Sequence, residues 1–149
     1  MAEMRVLYVN HTNSPSGAAI SFSTLLRNLP PGIQRFFLLH RRSLLAEQFA
    51  ALPENTHRDW FLPIYHTTLY GEGMGIGLQA FHLAKAAAVL PTLAWLRHRW
   101  HFDVMHLNEI VLVAHAACAR LLKIPTLVHV RTTLDPSRRA LRVMEWAAE

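Results

Sequence analysis

Three short stretches, residues 5–10 (Arg-Val-Leu-Tyr-Val-Asn), 103–107 (Asp-Val-Met-His-Leu) and 126–130 (Thr-Leu-Val-His-Val), are almost continuously apolar and end in polar or turn-forming residues. A strand with one face in water alternates polar and apolar side chains; a strand covered on both faces has no need to. The runs therefore predict strands that are central in a sheet and buried on both sides, which requires a layer of helices above and below it.

The segments between them supply those helices. After Gly17, apolar residues recur at Ala18, Phe22, Leu25, Leu26 and Leu29 until Pro30-Pro31-Gly32 stops the pattern. A second strand is expected over 36–40, followed by a helix over 44–52 capped by Ser43, and Trp60-Phe61-Leu62 is read as closing a weaker third strand. Residues 71–77 alternate glycine with other residues and read as a loop. Their spacing resembles a dinucleotide motif, which must open a helix directly after a strand, and here no strand precedes it. Residues 83–96 are mostly apolar and contain Pro91, expected to kink or divide the helix; at fourteen residues the run is short of the roughly 20 needed to span a bilayer. A helix over 109–122 and a last helix, capped by Asp135 with Pro136 in its first turn, complete the order. Strands alternating with helices predict a Rossmann-like, doubly wound parallel sheet in three α/β/α layers, with right-handed crossovers, as one domain over 1–149.

Composition narrows the function. Hydrophobic residues make up 52% and charged residues 17%, the balance of a folded chain. The net charge of +5 favours anionic partners, yet the basic residues form no runs interleaved with aromatics, so nucleic acid is not an expected partner. Cys118 is the only cysteine, which excludes an internal disulfide and a cysteine-rich metal site and is in keeping with a reducing cytoplasm. Residues 1–4 lack a signal peptide's charged and apolar regions. The ten histidines include His98 and His101, and His106 and His129, but no carboxylate-histidine ligand spacing accompanies them; His106, His115 and His129 are expected to be buried and hydrogen-bonded in the core, and no metal site is predicted.

In an open parallel sheet, ligands bind beyond the carboxyl ends of the strands. Those ends here carry Asn10-His11-Thr12, Asn108-Glu109 and Arg131-Thr132-Thr133, with His11 a candidate acid-base or acceptor-binding group. The turn Ser14-Pro15-Ser16-Gly17-Ala18-Ala19 could present helix N–H groups to a phosphate.

The succession of Met4-Arg-Val-Leu-Tyr-Val-Asn-His11, Ser16-Gly-Ala-Ala-Ile-Ser21, Phe102-Asp-Val-Met-His-Leu-Asn108 and Ile124-Pro-Thr-Leu-Val-His-Val-Arg131 resembles the N-terminal domain of family 4 glycosyltransferases, along the whole chain. The resemblance implies a retaining glycosyltransferase of the GT-B fold. Such an enzyme has two Rossmann-like domains about a cleft, and a nucleotide-sugar donor held chiefly by a C-terminal domain that this chain lacks. It needs no obligatory metal and no cofactor beyond the donor, and its acceptor, a glycan, lipid-linked sugar or lipopolysaccharide, sits on the N-terminal domain. It further implies donor-diphosphate contacts at Gly17 and Ala18 and catalytic positions at Asn108 and Arg131; the reading of the strand ends and of the turn adds Ser16 to the diphosphate contacts, His11 to the catalytic set, and Asn10, Thr12, Glu109 and Thr132 as acceptor contacts. Many members have Gly-Gly where this chain has Gly17-Ala18, and a histidine where it has Arg131; a subset shares the His-Val-Arg form and the asparagine. Without the second domain the chain is expected to be inactive. The apolar, arginine-flanked stretch 83–100 suits a cytoplasmic protein that touches the inner face of the plasma membrane. The alternative is a non-catalytic Rossmann-like module binding a nucleotide or a protein.

Overall fold

The computed structural model describes residues 3–12, 16–43, 55–60, 62–65, 76–131 and 139–148. In chain order the elements are β1 (Met4–Asn10), α1 (Gly17–Arg27), β2 (Ile33–His40), β3 (Thr56–Asp59), α2 (Ile76–Trp100), β4 (Val104–Leu107), α3 (Val113–Leu121), β5 (Thr126–Val128) and α4 (Arg139–Ala148). The strands form one five-stranded sheet in the order β3-β2-β1-β4-β5, every pair parallel.

The continuous apolar runs of β1, β2 and β4 sort into two cores because successive side chains of a strand face opposite ways. Leu7, Val9, Phe36, Leu38, Met105 and Leu107 face α2, α3 and α4, packing with Leu93, Leu96, Trp100, Ala116, Ala119, Leu141 and Met144. Val6, Tyr8, Phe37 and Leu39 face the other way and pack on Phe22 and Leu26 of α1. Burying a side chain of this size contributes about 1.5–3 kcal/mol. The sheet is therefore held by helices on both faces, a Rossmann-like α/β architecture in three layers.

Three expectations change. The third strand is Thr56–Asp59 and ends before the apolar triplet 60–62 expected to close it: it is a sheet edge, and an edge strand tolerates polar residues such as His57, Arg58 and Asp59 that the apolar-run criterion passes over. β5 is the other edge of this sheet and not a buried central strand; it ends at Val128, and Leu127 is 58% and Val130 50% exposed. Helix α2 begins at Ile76, inside the span read as a glycine loop, and continues through Pro91 without a break. Its buried positions His82, Val89, Leu93, Leu96 and Trp100 keep helical spacing, whereas Pro91 and Ala87, whose carbonyl the proline leaves without an N–H partner, are exposed, so water can satisfy that group. The helix stops where His101 adopts a left-handed conformation (φ 49°), its N–H donating to the Arg97 carbonyl at 2.8 Å. The helix expected over 44–52 and the cap at Asp135 and Pro136 lie outside the described residues.

Candidate functional site

The strand order reverses between β1 and β4, since β1 leads outward to β2 and β4 leads outward to β5. The crevice above their carboxyl ends is where this type of sheet binds ligands. Parallel register sets Val9 opposite Leu107, and the next residue on each strand is an asparagine. Both Asn10 and Asn108 are completely buried, and Asn108 Nδ2 donates to Asn10 Oδ1 at 2.9 Å.

Arg131 fixes which way these amides face. Its NH2 donates to Asn108 Oδ1 at 2.8 Å and its Nε to the Asn108 carbonyl at 3.2 Å. A guanidinium only donates, so the Asn108 oxygen must face it and the Asn108 nitrogen must face Asn10. Asn10 Nδ2 in turn donates to Thr12 Oγ1 at 2.8 Å. The result is an ordered chain of hydrogen bonds, Arg131 to Asn108 to Asn10 to Thr12, linking the loops after three adjacent strands. Arg131 also donates to Ser21 Oγ on α1, and its NH2 lies 3.0 Å from His129 Nδ1.

The first turn of α1 borders the same edge. Ser16 is the N-cap, with extended backbone angles (φ −144°, ψ 163°), and its Oγ accepts from the Ala19 N–H at 3.2 Å. The Ile20 N–H donates to the Ser16 carbonyl. Gly17 and Ala18 supply the first two N–H groups of the helix, which have no acceptor within it and carry the positive end of its dipole. A Cβ built on Gly17 meets no atom within 4 Å.

Burial tunes the titratable groups nearby. Glu109 is half-buried after β4, and burial raises its pKa against the opposing effects of the Ile110 N–H bond at 3.1 Å and of Arg131. His106 is 3% exposed and held among rings, parallel to Phe22 at 6.0 Å, with neither ring nitrogen hydrogen-bonded; burial first, then His129 and Arg131, lowers its pKa to about 4. His115 is 1% exposed, its Nδ1 has no partner, and burial, with His11 nearby, lowers its pKa to about 3. Its place in the first turn of α3, at the positive end of the helix, works in the same direction. These two are core histidines as expected but are not fully hydrogen-bonded. His129 is only partly buried; burial, then Arg131, lowers its pKa.

The structure thus brings Asn10, Thr12, Asn108 and Arg131 into one bonded chain, places Glu109 next to Asn108 in the loop after β4, and sets His11 near His115. Thr132 lies outside the described residues. Sequence reasoning missed Ser21 and His129 as partners of Arg131. Both were within reach of simple geometry: Ser21 is one helical turn beyond Gly17, and His129 is two residues before Arg131 in extended chain, hence on the same side. Among the described residues no group of three or more His, Cys, Asp or Glu is placed to hold a metal ion.

No protein-family model and no curated protein sequence matches the chain. Among solved structures, it is similar to the spinosyn rhamnosyltransferase SpnG complexed with thymidine diphosphate, with a TM-score of 0.56 and 17% identity over 95% of this chain and 38% of that one. A second SpnG structure gives a TM-score of 0.51 and 17% identity over 97% and 38%. A UDP-GlcNAc 2-epimerase from Neisseria meningitidis bound to UDP-GlcNAc superposes at a TM-score of 0.46 and 14% identity over 84% and 31%, too low to argue from. The chain spans well under half the length of these proteins. It has the Rossmann-like α/β fold found in glycosyltransferases of the GT-B type.

Proposed function

We propose that this chain is the acceptor-side, N-terminal half of a two-domain, retaining glycosyltransferase of family 4 that moves a sugar from a nucleotide-sugar donor to a glycan, lipid-linked sugar or lipopolysaccharide. The observation that carries the reading is the bonded chain Arg131–Asn108–Asn10–Thr12 at the reversal point of the sheet, beside an α1 turn whose first N–H groups have no acceptor within the helix. That SpnG is a rhamnosyltransferase complexed with thymidine diphosphate supports a nucleotide diphosphate as part of the donor.

In this reading the Gly17 and Ala18 N–H groups meet the donor diphosphate from across the cleft, with Ser16 holding the turn in shape through its capping bond. Thr12, Glu109 and His11 are assigned to the acceptor, and the same role is proposed for Thr132. Asn10 and Asn108 are fully buried and act by positioning Thr12 and Arg131. Arg131 sets the distance between α1 and the β4 loop, and its charge favours the diphosphate or a carboxylate on the acceptor. No metal and no cofactor besides the donor take part, and donor binding falls mainly to a second domain.

Contact with a membrane surface is part of the same proposal. No helix among the described residues is long and apolar enough to cross a bilayer. Helix α2 does expose Phe81, Leu90 and Trp95 alongside Lys85, Arg97 and Arg99, with Arg99 over the Trp95 ring at 5.4 Å, a mixture suited to anionic headgroups at the cytoplasmic face.

The test is turnover by the full-length protein with thymidine, uridine and guanosine diphosphate sugars. We expect diphosphate release with at least one donor, and weak or no binding of any of them by residues 1–149 alone. Replacing Arg131 by alanine should lower kcat/KM by roughly 10- to 150-fold, the loss of about 1.5–3 kcal/mol from charge-assisted hydrogen bonding. Micromolar donor binding to residues 1–149 alone would assign the donor to this half, and no turnover with any donor would favour the alternative of a non-catalytic nucleotide- or protein-binding module.

A further inference from the structure

On the α2 side of the sheet, at the same carboxyl edge, lies a pocket of about 50 Å³ lined by Leu38, Asp59, Leu62, Pro63, Lys85, Ala88, Val89, Thr92 and His115. Its position follows from the fold: Asp59 ends β3, Thr92 and Lys85 stand on α2, and His115 stands on the first turn of α3. We propose that this pocket receives an uncharged, hydroxyl-bearing arm of an acceptor sugar, with His115 as the hydrogen-bonding group at its base and Thr92 on its wall; the proposal rests on the acceptor-side reading above and deepens it.

Three observations select that ligand class. A water-sized group needs roughly 10–15 Å³ of such space, so the pocket holds about three to five of them, the size of a hydroxymethyl or vicinal diol rather than of a whole pyranose or a lipid chain. Its polar groups are of both kinds: the Asp59 carboxylate and the Lys85 ammonium are of opposite sign, and the Thr92 hydroxyl both donates and accepts. A phosphate would meet the Asp59 charge, and a cation the Lys85 charge, whereas hydroxyls can pair with all of them. Last, His115 is 1% exposed with its Nδ1 unpartnered. A buried polar atom left without a partner is unfavourable, and a ligand hydroxyl that reaches it would relieve that. The ring is held neutral, so it offers one donor and one acceptor and no net charge.

The experiment is saturation-transfer NMR on the full-length protein with the methyl glycosides of glucose, galactose, mannose, rhamnose and N-acetylglucosamine, with glycerol as the control polyol. We expect saturable binding of at least one glycoside within about 50 mM, the weak range suited to one anchored arm, undiminished by added thymidine or uridine diphosphate. Ala88→Phe, which plugs the pocket from an exposed position, should abolish it, and Thr92→Val, which keeps the shape and removes the hydroxyl, should weaken it by about 2- to 10-fold. His115→Gln retains a donor and an acceptor and should bind more weakly than wild type but better than His115→Leu. The proposal is overturned if no glycoside binds, if glycerol saturates equally well, or if binding survives unchanged in both Ala88→Phe and Thr92→Val. Glycoside binding needs no donor, so its failure leaves the transferase reading standing, and a lack of turnover with intact glycoside binding removes that reading alone.

Discussion

Replacing Arg131 by alanine has a cost that can be worked from its partners. The guanidinium donates to the Asn108 carbonyl and to Asn108 Oδ1, and reaches Ser21 on α1. Asn108 is completely buried, so truncation strands an amide oxygen that water reaches poorly. An unsatisfied buried acceptor costs about 1–3 kcal/mol, and the Asn108 carbonyl is a second one; Arg131 itself is only partly buried, and water entering the vacated space recovers much of that, which leaves roughly 1.5–2.5 kcal/mol. For a domain of this size such a loss lowers Tm by about 3–10 °C. Lysine carries its three donors on one nitrogen and lacks the guanidinium's planar fork, so it matches the two Asn108 oxygens less well and should restore less than half. Urea unfolding of wild type, Arg131→Ala, Asn108→Ala and the double variant measures the coupling directly, and we expect it to exceed about 0.5 kcal/mol. A destabilisation below that figure for Arg131→Ala, or strictly additive effects in the cycle, would refute the claim that this side chain ties the three loops together.

Gly17→Ala should be neutral or stabilising by up to about 1 kcal/mol in thermal unfolding, because the added Cβ meets nothing within 4 Å and the alanine orders the unfolded chain. Leu107→Ala, at a wholly buried position between the sheet and the helices, should cost about 2–5 kcal/mol, whereas Leu127→Thr on exposed β5 should stay within about 0.5 kcal/mol; both are read by urea unfolding. His106 and His115 titrate at about 4 and about 3 in the folded state, below the unfolded value near 6.5. The folded form therefore binds fewer protons, so their contribution is fully present above about pH 6.5. It is lost as pH falls toward 4, by about 1.4 kcal/mol per pH unit for each, and His106→Phe should flatten the acid limb of the stability profile by that amount.

The sequence by itself determined the fold class and the edge of the sheet that matters. Uninterrupted apolar runs at β1, β2 and β4 have no stable home except between two helical layers, and parallel strands put all their carboxyl ends, hence Asn10, Asn108 and Arg131, on one side. It set the end of β3 too late and misjudged β5 because edge strands are freed from the pattern that marks central ones, and whether a strand lies at an edge is a property of the assembled sheet. The continuity of α2 through Pro91 likewise turned on which face of that helix meets water. Only the tertiary structure decided that Arg131 is committed to Asn108, that Ser21 and His129 belong to the same cluster, and that His115 lies beside a pocket. Those partners come from elements up to 110 residues apart, and such contacts depend on strand order and register, which no local window of sequence contains.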